Sequence, residues 1–234
     1  KFITASCTNI SNMFYSCKVL TTIDVSEWDT SGITNMTRTF FACSAITELD
    51  LNSWDVSKVT TFNYFLSHSS SLVKCNLSNW KVTSECTNFN SMFAYTNITS
   101  IDVSGWDTTN VLTFSGMFRN CNNIEEIIGL NDFNTTNGLD FSEMFFGCSK
   151  IKELDLSGFD TRKAKYIKTA NSTYPITSNS MKYMFNSMTL LERVTLGENF
   201  SFVGDGTSDS QYSAVLPTPN SYNITGADGN WYSI

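Results

Sequence analysis

The chain has 234 residues, of which 41% are hydrophobic and only 16% charged, a composition that excludes an intrinsically disordered chain. Its formal net charge is −7, and the sequence shows no cluster of basic residues that could bind phosphates. We therefore expect no nucleic-acid partner. No apolar run approaches the length that spans a bilayer, so we expect a protein that is not membrane-embedded.

One repeated unit accounts for most of the sequence. Seven dyads recur, each ending in Phe, and the steps between these Phe residues are 26, 25, 28, 25, 27 and 40. The dyads are Met13-Phe14, Thr39-Phe40, Tyr64-Phe65, Met92-Phe93, Met117-Phe118, Met144-Phe145 and Met184-Phe185. The long last step contains an insertion at about 162–180 that carries a basic run. A constant spacing over so many units predicts a solenoid of about seven repeats.

Each repeat is predicted to begin with a short strand, because an apolar–polar–apolar triplet recurs in the same frame. The triplets are Ile23-Asp24-Val25, Leu49-Asp50-Leu51, Cys75-Asn76-Leu77, Ile101-Asp102-Val103, Ile128-Gly129-Leu130, Leu154-Asp155-Leu156 and Val194-Thr195-Leu196. Alternation with period two places the outer residues of each triplet in the core and points the central residue outward.

An aromatic residue follows six of the triplets and leads into a turn such as Asp29-Thr30-Ser31. The aromatic column is Trp28, Trp54, Trp80, Trp106, Phe133 and Phe159. Exposed rings would form a strip that binds sugars or proteins. The fixed place at the end of each strand favours the alternative, a buried row of stacked rings.

A helical segment is predicted after the turn, because apolar residues follow at helical spacing. Ile33, Met36, Phe40 and Cys43 are separated by steps of three, four and three, and residues 111–121 repeat the pattern. The sequence thus predicts an α/β fold: a right-handed leucine-rich-repeat-type solenoid of strand–turn–helix units with a parallel sheet on the inner face. Residues 1–200 would form the solenoid, and residues 201–234 a C-terminal cap or linker.

The repeat resembles the bacterial surface leucine-rich repeat of the BspA-like family, N-M-x-x-M-F-x-x-C-x-x-L-x-x-L-D-L-S-x-W/F-D-T-S. Residues 12–17, 35–43 and 154–161 carry the pattern, and the resemblance covers roughly residues 5–200. His68 and Thr96 depart from it at the Cys column. Segments 216–219 and 226–232 resemble a tail that closes such arrays. The resemblance implies secreted or cell-surface proteins that bind host proteins or other cells, and it brings no catalytic residues.

The cysteines and the single histidine are the candidates for chemistry. Neighbouring helical segments would lie about 8–10 Å apart, whereas a disulfide needs Cα atoms closer than about 7 Å. We therefore expect free, buried thiols at Cys75 and at the four Cys-column residues Cys17, Cys43, Cys121 and Cys148. His68 replaces Cys in that column, so a packing or loop role is expected. We predict no catalytic residue, no metal ligand and no cofactor.

Acidic columns line the predicted sheet. Asp24, Asp50, Asn76, Asp102 and Asp155 point outward, and Asp29, Asp55, Asp107 and Asp160 follow the aromatics. They could bind calcium or a basic partner. In the alternative, the second set caps turns and the first solvates the sheet. The predicted partner-binding sheet face comprises Thr22, Asp24, Glu48, Asp50, Lys74, Asn76, Asp102, Glu153, Asp155 and Arg193.

These features favour a non-enzymatic adhesion or interaction module, extracellular or on the cell surface, that binds protein or glycan ligands on host or neighbouring cells. One alternative is a structural spacer that displays other domains, and another is a phage tail-associated receptor-binding module. The chain begins at Lys1, within an element, so we expect it to be a piece of a longer protein.

Overall fold

A computed structural model of the protein describes residues 4, 6–164, 166–168 and 177–202. Its strands are β1 (Glu48–Asp50), β2 (Lys74–Asn76), β3 (Ser100–Asp102), β4 (Glu126–Ile128), β5 (Glu153–Leu156), β6 (Tyr166–Lys168), β7 (Thr177–Asn179) and β8 (Arg193–Leu196). Parallel pairs form between β1 and β2, β3 and β4, and β5 and β8. The described parts of the predicted insertion form the antiparallel pair β6–β7. The predicted C-terminal segment lies outside the described residues from residue 203 onward.

Three of the predicted strand triplets differ from the structure. In Val194-Thr195-Leu196 the outer residue Leu196 is 38% exposed instead of buried. Ile23-Asp24-Val25 forms no strand. The fifth triplet is displaced by one residue, because β4 ends at Ile128, which is 44% exposed. This repeat has one residue more than its neighbour between strand and aromatic. The extra residue is accommodated by Gly129, which has a φ of 81°, and by a 3₁₀ turn at Leu130–Asp132. As a result, Leu130 is buried in the core.

The predicted helical segments are wrong: the described residues contain no α-helix. A nine-residue turn segment takes the place of the helix in each coil. Together these segments form a surface that we call the turn wall: residues 9–17, 35–43, 61–69, 88–96, 113–121, 140–148 and 180–188.

Hydrogen bonds within the turn wall alternate between two kinds. The N–H groups of Arg38, Phe40 and Ala42 donate to carbonyls of the next coil, at 2.9, 2.9 and 2.8 Å. Those of Thr39 and Phe41 instead donate to the residue three positions earlier and close turns within the coil. Neighbouring coils are thereby joined by backbone hydrogen bonds on this wall as well as through the strands.

Two residues in every turn segment have left-handed backbone conformations, which an α-helix does not allow. The fourth positions are Asn12, Arg38, Tyr64, Ser91, Gly116, Glu143 and Tyr183, and the eighth are Ser16, Ala42, His68, Tyr95, Asn120, Gly147 and Ser187. The segment still buries its second, sixth and ninth residues, such as Met36, Phe40 and Cys43. The same spacing of four and three is typical of a helix, which explains the wrong prediction.

Coil pairing also corrects the alignment of the third repeat. Parallel bridges join Asn35 to Thr61 and Thr61 to Asn88, so the coils step by 26 and 27 residues here. The residue equivalent to Phe40 and Phe93 is therefore Leu66, not Phe65. By the same alignment Ser69, not His68, occupies the Cys column.

Corresponding side chains stack from coil to coil in a continuous core. The sixth residues of the turn segments form a stack that we call the Phe row. Its ring centroids lie 5.5 Å apart for Phe93–Phe118 and 6.0 Å apart for Phe118–Phe145. The predicted burial of the aromatic column is confirmed, because Trp28, its most exposed member, is only 7% exposed. The Trp54 indole N–H donates to the Val25 carbonyl, which satisfies the polar atom inside the core. Among the described residues, no helix has the length and apolar character needed to cross a lipid bilayer.

Candidate binding surfaces

All ten residues of the predicted sheet face are exposed. Eight lie in strands, whose register sets Glu48 beside Lys74, Asp50 beside Asn76 and Glu153 beside Arg193. Thr22 and Asp24 lie in the first coil, outside any strand. The face is thus a set of short rows in which equivalent side chains sit one coil apart.

Opposite charges on this face pair between coils. Lys74 Nζ lies 3.1 Å from Glu48 Oε1, and Arg193 forms an ion pair with Glu153. The Asn76 amide donates to Asp50 Oδ1 at 3.0 Å. Pairs as exposed as these contribute little to stability, so a ligand could replace them at small cost.

Both acidic columns cap turns. Asp24 Oδ1 accepts hydrogen bonds from the Ser26 hydroxyl and N–H, and Asp55 Oδ1 accepts one from the Ser57 N–H. Hydrogen bonds from Ser26 and Ser57 lower the pKa of Asp24 and Asp55. The turn-capping interpretation of the second set is confirmed, and it extends to the first. In the described part of the chain, no three His, Cys, Asp or Glu side chains come together as a candidate metal site.

A shallow groove of about 730 Å³ interrupts the sheet face. It lies where β4, which pairs with β3, meets β5, which pairs with β8. Its lining includes Glu126, Glu153 and Asp155, so its charged rim is mainly acidic.

The turn wall carries a second surface that the sequence interpretation missed, in which Tyr15, Arg38 and His68 are exposed and the other members are half-buried. We call it the aromatic–cation row: Tyr15, Arg38, Phe41, Tyr64, His68, Tyr95, Arg119, Phe146, Lys182 and Tyr183. Ring centroids are 5.0 Å apart for Tyr15–Phe41 and Phe41–His68, and 4.4 Å apart for His68–Tyr95. The signal in the sequence was the aromatic residue directly after the dyad Phe, as at Tyr15, Phe41 and Phe146.

Cations lie over several of these rings. The Arg38 guanidinium is 5.1 Å from the Tyr64 ring centre, and that of Arg119 lies 5.5 Å from both Tyr95 and Phe146. Arg119 also forms an ion pair with Glu143. His68 lies in the middle of the row, where partial burial and the charge of Arg119 lower its pKa.

The five cysteines predicted to be free are free, and so are Cys7 and Cys86. The predicted burial is confirmed for Cys43, Cys121 and Cys148, but Cys17 and Cys75 are only half-buried. Cys43 donates from Sγ to the Phe14 carbonyl, and Cys121 donates likewise to Phe93, each at 3.1 Å. Burial raises the pKa of Cys43 to about 11 and that of Cys121 to about 12, so these two thiols stay protonated and act as apolar fillers with one weak donor each.

One family model matches most of the chain: "Mycoplasma protein of unknown function, DUF285" matches residues 1–100 and 87–173. No curated protein matches the chain. A leucine-rich repeat protein from Bacteroides ovatus is 16% identical with a TM-score of 0.40, over 74% of this chain and 43% of its own. A leucine-rich cell surface protein from Faecalibacterium prausnitzii is 14% identical with a TM-score of 0.30, over 91% of this chain and 74% of its own. The chain thus spans less than half the length of the Bacteroides protein.

Proposed function

Since the chain belongs to the DUF285 family, whose description names no activity, we propose from its surfaces that it is a non-enzymatic binding module of an extracellular or cell-surface protein. The proposed location follows from the resemblance of the repeat motif to BspA-like surface repeats. The proposed partners are proteins or glycans on host or neighbouring cells.

The observation that carries this proposal is the arrangement of exposed polar side chains in rows, one coil apart. Strand register places Glu48 next to Lys74 and Glu153 next to Arg193, and all four are exposed. A ligand lying along such a row meets several side chains of known spacing at once, and rigid presentation lowers the entropic cost of binding. We propose the ten-residue sheet face as the binding surface.

A binding screen with net-neutral variants tests the proposal. The wild-type chain is presented to immobilised host-matrix proteins and to a glycan array. Two sheet-face variants, Glu48→Gln/Lys74→Gln and Glu153→Gln/Arg193→Gln, each remove one positive and one negative charge. Lys58→Gln/Glu85→Gln is the matched control, because it removes the same charges from exposed positions outside the strands. We expect at least one sheet-face variant to bind about tenfold more weakly, or about 1.4 kcal/mol, with the control unchanged.

The results separate the proposed face from the proposed function. Equal binding by the wild-type chain and both sheet-face variants would show that the sheet face is not the binding surface. Failure of the wild-type chain to bind any ligand would overturn the binding function. That outcome would favour a structural spacer, for which the continuous stack of rings and the hydrogen-bonded turn wall supply stiffness.

A further inference from the structure

We propose that the aromatic–cation row of the turn wall is a second docking surface, and that its partner is an acidic segment of another protein. The inference rests on the proposed binding function, but it concerns a different face of the coil. Three observations carry it: the orientation of the rings, the distribution of charge, and a depression lined by hydrogen-bond donors.

Two pairs of rings in the row stack face to face, which covers the faces that meet, whereas Phe41–Tyr64 and Phe146–Tyr183 meet edge to face. Tyr15 and Phe41 are nearly parallel, at 5°, and His68 and Tyr95 lie at 25°. Rings stacked in this way present their edges to solvent, and the edge of an aromatic ring carries partial positive charge. A sugar platform needs a free ring face, whereas a carboxylate is attracted to ring edges. The stacking therefore favours an anionic partner over a neutral glycan.

Charge on the first five segments of the turn wall has the opposite sign to the net charge of the chain. The first five turn segments, from 9–17 to 113–121, contain Arg38 and Arg119 and no Asp or Glu, although the whole chain has a net charge of −7. Arg38 is exposed beside Tyr64, and the Arg119 side chain is 36% exposed between Tyr95 and Phe146. In the sixth segment Glu143 already pairs with Arg119, so it is Arg38, held against the Tyr64 ring, that presents its outer N–H groups for bidentate binding of a carboxylate.

A depression of about 320 Å³ lies beside the centre of the row. His68, Tyr95, Asn97, Asn120 and Asn122 line it, together with small hydroxyl residues and without any carboxylate. Nearby, Arg119 Nε is buried and has no hydrogen-bond partner among the described residues. The amide and hydroxyl donors that line the depression can donate hydrogen bonds to a Glu or Asp side chain of an extended polypeptide.

Fluorescence anisotropy with a labelled 20-residue polyglutamate peptide tests the inference. The row variant is Arg38→Asn/Arg119→Gln. Asn adopts the left-handed conformation of position 38 more readily than Arg, so this change does not oppose folding. The control Lys58→Gln/Lys81→Gln removes two positive charges from exposed positions outside both the sheet face and the turn wall, and gives the same net charge. A Gly–Ser peptide of equal length is the neutral probe, and an acidic polysaccharide is the non-protein anion.

We expect the wild-type chain to bind polyglutamate but not the Gly–Ser peptide, and the row variant to bind it at least about tenfold more weakly. The control should change affinity less than about twofold, because surface charges far from the contact act weakly at physiological salt. Equal weakening by both variants, no binding of polyglutamate, or binding of the polysaccharide alone would each overturn the inference. The sheet-face screen is independent of this result, so failure here leaves the proposed binding function standing.

Discussion

The Ser69 hydroxyl donates a hydrogen bond to the carbonyl oxygen of Phe40, in the preceding coil, at 2.7 Å. The Ser69 hydroxyl oxygen in turn accepts a hydrogen bond from the Cys43 N–H at 3.1 Å, so one buried hydroxyl completes a turn of the neighbouring coil. We predict that Ser69→Ala lowers the free energy of unfolding by about 1–3 kcal/mol, because it leaves a donor and an acceptor unpaired in the core. Urea denaturation followed by tryptophan fluorescence measures the change.

The matched control for this prediction is Ser69→Cys. Cysteine occupies the equivalent position in other coils, where Cys121 and Cys148 donate to the Phe carbonyl of the preceding coil. It should therefore recover a substantial part of the stability lost in Ser69→Ala. If the Ala and Cys variants were equally destabilised, the hydroxyl bridge would not be the cause.

The Phe row makes a second prediction, at Phe118. Its ring is fully buried between Phe93 and Phe145. Phe118→Ala should cost about 3–5 kcal/mol, because it removes a ring from the middle of the stack and leaves a cavity. Phe118→Leu should cost much less, about 1.5 kcal/mol or below, because Leu66 fills the equivalent place in the third coil. Equal losses for the two variants, measured by urea denaturation, would contradict the alignment of the rows.

The extra residue of the fifth repeat makes a third prediction, at Gly129. A Cβ on this glycine would lie 2.3 Å from the Ser104 Cα, in addition to the strain of its positive φ. Gly105 has a similar φ of 74°, but a Cβ there would meet nothing within 4 Å. We expect Gly105→Ala to cost about 1–2 kcal/mol from backbone strain alone, and Gly129→Ala clearly more. Thermal unfolding of the two variants side by side makes the comparison, and equal melting temperatures would refute the close approach.

Acid should weaken the fold through the carboxylates that cap its turns. Hydrogen bonds from Ser57 and Thr109 hold the pKa values of Asp55 and Asp107 below the ordinary value of 3.8. A carboxyl group whose pKa is lower in the folded state contributes stability that is complete above its unfolded pKa and is lost as pH falls through the folded pKa. Unfolding free energy should therefore decline steadily below about pH 4.

The variant Asp55→Asn/Asp107→Asn separates the charge from the turn. An Asn side-chain oxygen can still accept the capping bond, as Asn134 does from the Thr136 N–H. The double variant should show a shallower loss of stability between about pH 5 and pH 2 in urea titrations. A decline as steep as that of the wild-type chain would place the acid sensitivity elsewhere.

The solenoid and its buried columns could be predicted from the sequence because a fixed repeat brings like residues together. The Trp column follows from that period alone, whereas the prediction of free thiols rests on a separation between helices that the turn wall does not have. The helix could not be excluded, since Met36, Phe40 and Cys43 have the same spacing on a turn segment as on a helix. The left-handed residues give no warning either, because Arg38, Tyr64 and Glu143 are types that rarely adopt a positive φ.

Two further features could not be predicted from linear spacing: the alignment of the third repeat and the aromatic–cation row. Tyr64-Phe65 and Phe65-Leu66 both match an apolar dyad, and only the bridge between Asn35 and Thr61 decides between them. Rings such as Phe41 and His68, 5.0 Å apart, occupy different columns of the repeat, the seventh and eighth positions of the turn segment. They meet because the turn wall brings those columns together, which linear spacing does not reveal.

Disulfide trapping between coils tests the stacking of the turn wall most directly. Equivalent residues of neighbouring coils should lie about 4.8 Å apart, within the Cα range of a disulfide, and residues two coils apart about twice as far. We predict that Thr37→Cys/Asn63→Cys forms an intramolecular disulfide under mild oxidation, located by peptide mass mapping, and that Thr37→Cys/Asn90→Cys does not. Absence of the first crosslink, or equal yields of the two, would contradict the in-register stack of coils.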